Sequence, residues 1–419
     1  MTLQNITLTN GFSSLDDGGA IFNGGNLNLE NTAIRDSNTV SNFSGGVIVS
    51  YGPLTITGSR FENNGAGNGG ALYLRWEAGD ATITSSIFYQ NHTTNQDSGW
   101  GGAILLWDGA DAQISASDLD GNTVRYGGAI HNMFSNSKLE LLDGTELRNN
   151  QAQFEGGGIY IAGSIFNTLT WVTLRNNRAT DFGGRIYNSA GGVTLTECEV
   201  VGNSATAGWG GGVYNDANPV AWFTYTTLQN NSAMFGGGIY NGASQLILIN
   251  ATISTNYSSS GGGIYNDTDG NAQLTFATLS GNVAYAEGGG IYNSDSTNTY
   301  LNLRSTIVAD NEGGDCFGKP IDSALFSLWS DSSCANMSGA GNKHSTPAQL
   351  GPLADNGGLT PTHMPSVSSP AVDAEQCDVD IPNDQRQVAR PQGLTCDIGS
   401  VERLPSGGNN LIFLPLLSK

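Results

Sequence analysis

Apolar and polar positions alternate through most of this chain, and the alternation repeats at nearly constant spacing. A phrase Gly-Gly-x-Ile-Tyr-Asn recurs, as at Gly236, Gly237, Gly238, Ile239, Tyr240 and Asn241. Its apolar centre falls at Ile21, Ile48, Leu72, Ile104, Ile130, Ile159, Ile186, Val213, Ile239, Ile264 and Ile291, with gaps of 24 to 32 residues. A second phrase lies between the copies: an apolar residue, another five positions on, then Asn three further, as in Leu195, Val200, Asn203 and Phe223, Leu228, Asn231. Its Asn is Asn64, Asn91, Asn122, Asn150, Asn177, Asn203, Asn231, Asn256, Asn282 and Asn311, and the first full copy has Ser37 there.

Units of about 26 residues are too short to be domains but long enough for one rung of short strands and turns. Helical repeats would show 3.6-residue spacing, and none is visible. Runs such as Leu246-Ile247-Leu248-Ile249 favour strands. Stacking sets each Ile over its counterpart in the next unit and buries a column that no single unit could bury. The expected fold is all-β: a right-handed parallel β-helix of about eleven rungs over residues 1–312, a small capping domain at 313–403, and a linker with a short apolar tail at 404–419. At about 4.8 Å per rung the rod would be roughly 50 Å long. The Asn series is predicted to form a ladder of stacked amides, with Asn also suiting left-handed corners. The Tyr series, beside the inward Ile, is predicted to face outward and stack on itself.

Composition narrows the function classes. The 59 glycines alone would suit a disordered chain, but apolar residues make up 38% and recur at fixed spacing. A net charge of −21 repels phosphate backbones and anionic membranes, so nucleic acid is not an expected partner. No apolar run is long enough to span a bilayer. Leu3, Ile6 and Leu8 already read as repeat sequence, so any export signal is expected upstream. Cys316, Cys334, Cys377 and Cys396 lack C-x-x-C spacing and fall in two local pairs 18 and 19 residues apart. They are read as disulfides Cys316–Cys334 and Cys377–Cys396, formed in an oxidising, extracellular setting, with Cys198 a half-buried thiol.

The Gly-Gly-Ala-Ile phrase at residues 18–21, 101–104 and 127–130, with Phe61-x-x-Asn64 and Phe88-x-x-Asn91, resembles the polymorphic outer membrane protein repeat. That resemblance covers residues 1 to about 312 and implies a β-helical, adhesin-like protein of the bacterial surface. Past Asn311 the period stops. The segments Gly351 to His363, Ser369 to Ala374, Asp384-Gln385-Arg386, Ala389-Arg390-Pro391 and Cys396 to Glu402 look like the choice-of-anchor Q domain. That family lies at the C-terminal side of exported β-helical proteins. The chain departs from it at Gln387, where the family continues with Gly. By physical reasoning this region would close the open last rung. The tail Leu411 to Leu417 is either a sorting tail or one more edge strand.

Catalysis on such a fold would need a cluster that breaks the repeat's uniformity. The best one combines Arg75, Trp76, Trp107, Asp108, His131 and Phe134, where two indoles, a cation, a carboxylate and an imidazole fall on adjacent rungs. Aromatic faces with a few polar groups suit sugar rings; a long turn covered by its own aromatics is the structural alternative. Arg185 interrupts the glycine column and is read as a surface ion-pair partner, or else as a lyase base. The leading reading is a non-catalytic surface or secreted β-helix, adhesin-like or structural, that binds a glycan or cell-surface ligand. The alternative is a polysaccharide lyase or glycoside hydrolase acting on an acidic polysaccharide through Arg75, Asp108, His131 and Arg185. No cofactor is called for: metal spacing is absent, and Ca²⁺, though suited to an acidic surface, has no motif.

Overall fold

A computed structural model describes residues 1–14, 18–40, 45–75, 80–95, 98–134, 136–163, 166–217, 219–334 and 339–405. Trp76 and the tail at 406–419 therefore lie outside the described residues. Among these residues there are strands and no helix, so no helix is long and apolar enough to cross a membrane. The chain coils into a parallel β-solenoid. The first and second sheets each hold thirteen strands, from Thr2–Gln4 to Ser323–Leu325 and from Thr7–Thr9 to Leu328–Trp329. The third has eight strands, Phe12–Ser13 to Ser204–Ala205, and resumes as the pair Tyr257–Ser260 and Val283–Glu287. The fourth has twelve, from Ile21–Asn23 to Cys316–Gly318.

Register follows the phrases: Ile48 lies between Ile21 and Leu72, and Ile291 pairs with Cys316. Three walls send side chains into one lumen, such as Leu195 from the first, Leu174 from the second and Ile186 from the fourth, all 0% exposed. Each such residue contributes about 1.5–3 kcal/mol on burial. Phe61 and Phe88 stack there with ring centres 4.7 Å apart.

Amide ladders bind the turns together. Asn150 donates from its backbone N and its Nδ2 to Asn177 Oδ1, at 3.0 and 2.9 Å, and Nδ2 also reaches Leu119 O at 2.9 Å. The same pattern runs from Asn64 through Asn91, Asn122, Asn150, Asn177, Asn203, Asn231, Asn256 and Asn282 to Asn311. Every amide points the same way, and the series ends on a buried carboxylate. Asp315 accepts from Asn311 Nδ2 at 3.0 Å and from Ser330 N and Oγ at 2.7 and 2.8 Å. A second ladder, not anticipated from sequence, joins Asn188, Asn215, Asn241, Asn266 and Asn293. A third links hydroxyls to the preceding turn's amide, through Ser59, Ser86 and Ser117.

One expectation about the corners needs correction. The left-handed residue is the one before each ladder Asn, such as Asn63 (φ 53°), Asn149 (φ 54°) and Thr255 (φ 52°), not the ladder Asn itself. The ladder residue points its amide inward, and the sharp bend is made one position earlier. The glycine pairs serve two purposes, as Gly127 and Gly128 show. Gly127 is left-handed (φ 74°), and a Cβ on Gly128 would lie 1.9 Å from the Gly157 carbonyl oxygen of the next turn.

The parallel ladders continue past Asn311, where the phrases end. Residues 316–329 add one more turn, held by the Cys316–Cys334 disulfide, with Trp329 buried inside it. This turn belongs to the region expected to close the solenoid, and Lys343 pairs with Leu328 on its far side. The rest of that region lies along the second sheet, over its last turns. Its hairpin pairs Leu350–Ala354 antiparallel with Thr362–Pro365, and Cys377 is bonded to Cys396. The outward residues of the second sheet are small and hydroxylic here, which lets the segment dock closely. Thr252 Oγ1 donates to Gln385 Oε1 at 2.6 Å, Ser254 meets His363 Nε2 at 2.9 Å, and Thr278 Oγ1 accepts from Ser400 N at 3.0 Å. Buried ion pairs Arg386–Asp384 (2.7 Å) and Arg390–Glu402 (2.8 Å) organise it. Gln387 sits at a left-handed position (φ 67°), a backbone that glycine adopts without strain.

Candidate functional site: an aromatic outer wall

The candidate residues of turns three to five lie on the outside of the fourth sheet. Leu105 and His131 are directly paired, as are Trp107 and Met133. The aromatics fold onto one another: Trp107 packs edge-on to Tyr73 (6.0 Å) and Phe134 (4.8 Å), and Trp100 lies 5.8 Å from it. Val49, Tyr73 and Leu105 form a small separate core beneath them. The Arg75 guanidinium lies over Tyr51 and Tyr73, at 5.0 and 5.4 Å from the ring centres. Phe134 is 41% exposed, and Asp108 is exposed at a left-handed position (φ 45°).

Two of the candidates are not where their chemistry would need them. His131 is 1% exposed, stacked 4.3 Å from Tyr160, with Nδ1 3.3 Å from Tyr126 O. Burial pushes its pKa down to about 3, so it is neutral and sealed from a surface substrate. It replaces Tyr in the column and packs as Tyr does. Arg185 is neither a surface ion-pair partner nor a base on an outer face. It is 0% exposed inside the lumen, where Nη1 donates to Leu147 O at 2.7 Å while Nε and Nη2 have no acceptor among the described residues. The residue before each fourth-sheet Ile turns inward at the corner, as the buried Ala103 and Ala129 do, and Gly158 leaves room for the long side chain. Burial pulls its pKa well down.

What sequence reading treated as one Tyr stripe is a double aromatic wall. Successive ring centres along Tyr160, Tyr187, Tyr214, Tyr240, Tyr265 and Tyr292 are 4.6, 5.0, 5.1, 5.5 and 4.4 Å apart. These rings point away from the lumen but are partly covered; Tyr73, Tyr214 and Tyr240 are only 1%, 6% and 3% exposed. The cover is a second column from the position before each glycine pair: Phe182, Trp209 and Phe235, bridged turn to turn. Trp209 lies 5.0 Å from Tyr240 and 5.1 Å from Phe182. Its signal was available in Phe-Gly-Gly and Trp-Gly-Gly, which recur at the same offset.

Carboxylates border the wall. Tyr214 donates its hydroxyl to Asp216 Oδ2 at 2.7 Å, and Tyr240 donates to Asp267. Asp216 Oδ1 also accepts from Ala217 N and Ala243 N, at 2.7 and 2.9 Å. Burial raises the Tyr214 and Tyr240 phenols, with the neighbouring carboxylate adding to the shift, so these hydroxyls stay protonated donors. Along the other edge, burial and the like charge of Asp181 raise the Glu155 carboxyl. Among the described residues no group of three or more His, Cys, Asp or Glu could hold a metal ion.

These features define a parallel β-solenoid with an aromatic outer wall. Residues 58–75 match the Chlamydia polymorphic membrane protein repeat. The match spans Phe61, the ladder residue Asn64, the Gly69-Gly70 corner and the inward Leu72. No curated protein and no solved structure matches the chain.

Proposed function

We propose that this chain is a non-catalytic, adhesin-like β-solenoid, secreted or held at a bacterial surface, that binds glycans through the outer wall of its fourth sheet. The observation that carries this reading is the partly exposed aromatic column over stacked tyrosines, edged by oriented carboxylates. It offers flat apolar surface with fixed polar groups, the chemistry that suits sugar rings. The exposed part of the turn-three-to-five cluster, Trp107, Asp108 and Phe134 with Arg75, extends the same wall. Two disulfides and the repeat match support an extracellular or surface setting. Residues 313–403 are assigned to the choice-of-anchor Q type on their resemblance.

The test is a glycan array probed with the full chain, alongside reducing-end and uronan-unsaturation assays. Binding without turnover, weakened by Trp107→Ala, is expected. Turnover of a uronan that is abolished by Arg75→Ala would overturn the reading in favour of a lyase or hydrolase.

A further inference from the structure

We infer that the fourth-sheet wall around Phe182, Trp209 and Phe235 binds a linear polysaccharide carrying protonated amino groups. The sugar rings would lie on the aromatic column, and the ammonium groups would face the carboxylates at its edges. This inference rests on the glycan reading above and adds a location and a charge class.

Charge is the first argument. Between Arg178 and Arg304 the sequence holds a single Lys or Arg, Arg185. That one is enclosed in the lumen at 0% exposure. The same stretch carries Asp181, Glu197, Glu199, Asp216, Asp267, Asp269, Glu287 and Asp295. Glu197 and Glu199 belong to the second-sheet side, where Gln387 and Gln229 meet them. The others flank the aromatic wall or its loops with no cationic side chain from these turns to offset them. Among the described residues the donors to Asp216 and Asp267 are neutral: the phenols, the backbone amides on Asp216 and the Thr268 hydroxyl on Asp267. Glu155 and Asp181 repel one another across adjacent turns. Such a wall repels a uronan and attracts a polycation.

Shape is the second argument. One outer ring in each of three successive turns, Phe182, Trp209 and Phe235, repeating at about the 4.8 Å rise of a parallel sheet, makes a short ribbon and not a pocket. A ribbon suits an extended chain of rings running along the solenoid axis. A basic peptide would gain most by adding a strand to an open edge. Here the strands Ile186–Asn188, Val213–Asn215 and Ile239–Asn241 are already paired on both sides, so the wall offers an extended peptide no main-chain partner. Sugars need none: their apolar ring faces stack, and their amines reach the flanking carboxylates.

The experiment titrates the full chain, by tryptophan fluorescence and calorimetry at low salt below neutral pH. The probes are a β-1,4-glucosamine hexamer, its fully N-acetylated form, a galacturonate hexamer and hexalysine. The glucosamine hexamer should bind at least about tenfold more tightly than the acetylated one, as expected when one or two charge pairs are lost. Asp216→Asn with Asp267→Asn should weaken it by about tenfold, and Trp209→Leu should weaken both sugars. A melting curve on each variant, with Glu155→Gln as a milder substitution, separates loss of binding from loss of fold. Equal or tighter binding of the acetylated hexamer or of galacturonate overturns the charge class and leaves glycan binding standing. Hexalysine binding as tightly as glucosamine overturns the sugar assignment. Failure of every sugar, here and on the array, removes this inference and the reading beneath it.

Discussion

Exchanging Arg185 for methionine asks what an enclosed charge costs this solenoid. The guanidinium makes one hydrogen bond, to Leu147 O at 2.7 Å, and leaves Nε and Nη2 without acceptors among the described residues. Losing that charge-assisted bond costs about 1.5–3 kcal/mol. Removing the ion recovers a desolvation penalty of several kcal/mol and about 1–3 kcal/mol for each unsatisfied donor. Packing changes little. The Arg185 Cδ lies 2.8 Å from where a Gly158 Cβ would stand, so an unbranched apolar stem already fills the gap. The net expectation is stabilisation by about 1–4 kcal/mol, as found when buried ions give way to apolar residues of similar size. Urea unfolding at matched slope, with thermal melting by circular dichroism, reads it out; matched slopes matter because repeat arrays need not unfold in one step. Arg185→Gly controls for volume and should gain less, since it opens a cavity. A loss of more than about 1 kcal/mol in Arg185→Met would refute the reasoning, because it would mean the charge is well satisfied in the lumen.

Burial raises Glu375 to about 7 and Asp397 to about 6, where the C-terminal segment folds against the solenoid. Folded acids with raised pKa hold protons that the unfolded chain releases, so their contribution is full below the ordinary carboxylate range and is lost as pH rises through about 6 to 7. Protection factors for hydrogen exchange in residues 349–403, which remove the intrinsic rise of exchange with pH, should therefore fall between pH 5 and pH 7 (about the span of those shifts), and Glu375→Gln should flatten that slope. Asp315→Asn places an amide among N–H donors at the end of the ladder and should cost about 2–4 kcal/mol, with earlier proteolysis after Asn311. Asn203→Ala, in mid-ladder, leaves Asn177 and Leu174 O without their partners and should cost about 1–3 kcal/mol by denaturant midpoint.

The Ile, Asn and Tyr columns were readable because each repeats an environment once per turn, and periodicity reports environment. The Tyr series lies outside the lumen because it alternates with the inward Ile, and strand alternation holds there. Arg185 was misplaced because alternation fails at the corner: the glycine two positions before it is left-handed (Gly183, φ 59°), and both Arg185 and Ile186 end up buried. His131 was read for its ring nitrogen, whereas stacking on Tyr160 decides its surroundings. The second amide ladder used the Asn of the Gly-Gly-x-Ile-Tyr-Asn phrase, visible but assigned no partner. The added turn beyond Asn311 keeps a degenerate copy of the first phrase, Gly313-Gly314-Asp315-Cys316-Phe317-Gly318, in register with Ile291; with Cys for Ile and Gly for Asn, and Asp315 ending the ladder, that copy was passed over.

The spacing within a turn divides the solenoid into a nearly constant frame and an adaptable margin. From the inward residue of the first sheet to the ladder Asn the count is eight in every turn but one, as in Leu195 to Asn203 or Leu248 to Asn256, the exception being the nine from Leu141 to Asn150. The 24-to-32-residue variation between turns falls at the approaches to the fourth sheet and in the loops leaving it. Those loops flank the aromatic wall. Lengthening or shortening them alters what surrounds a ligand without disturbing a ladder or shifting a strand register. A repeat array of this kind can vary its recognition loops one turn at a time, each change confined to the turn that carries it, while the hydrogen-bonded spine behind stays the same.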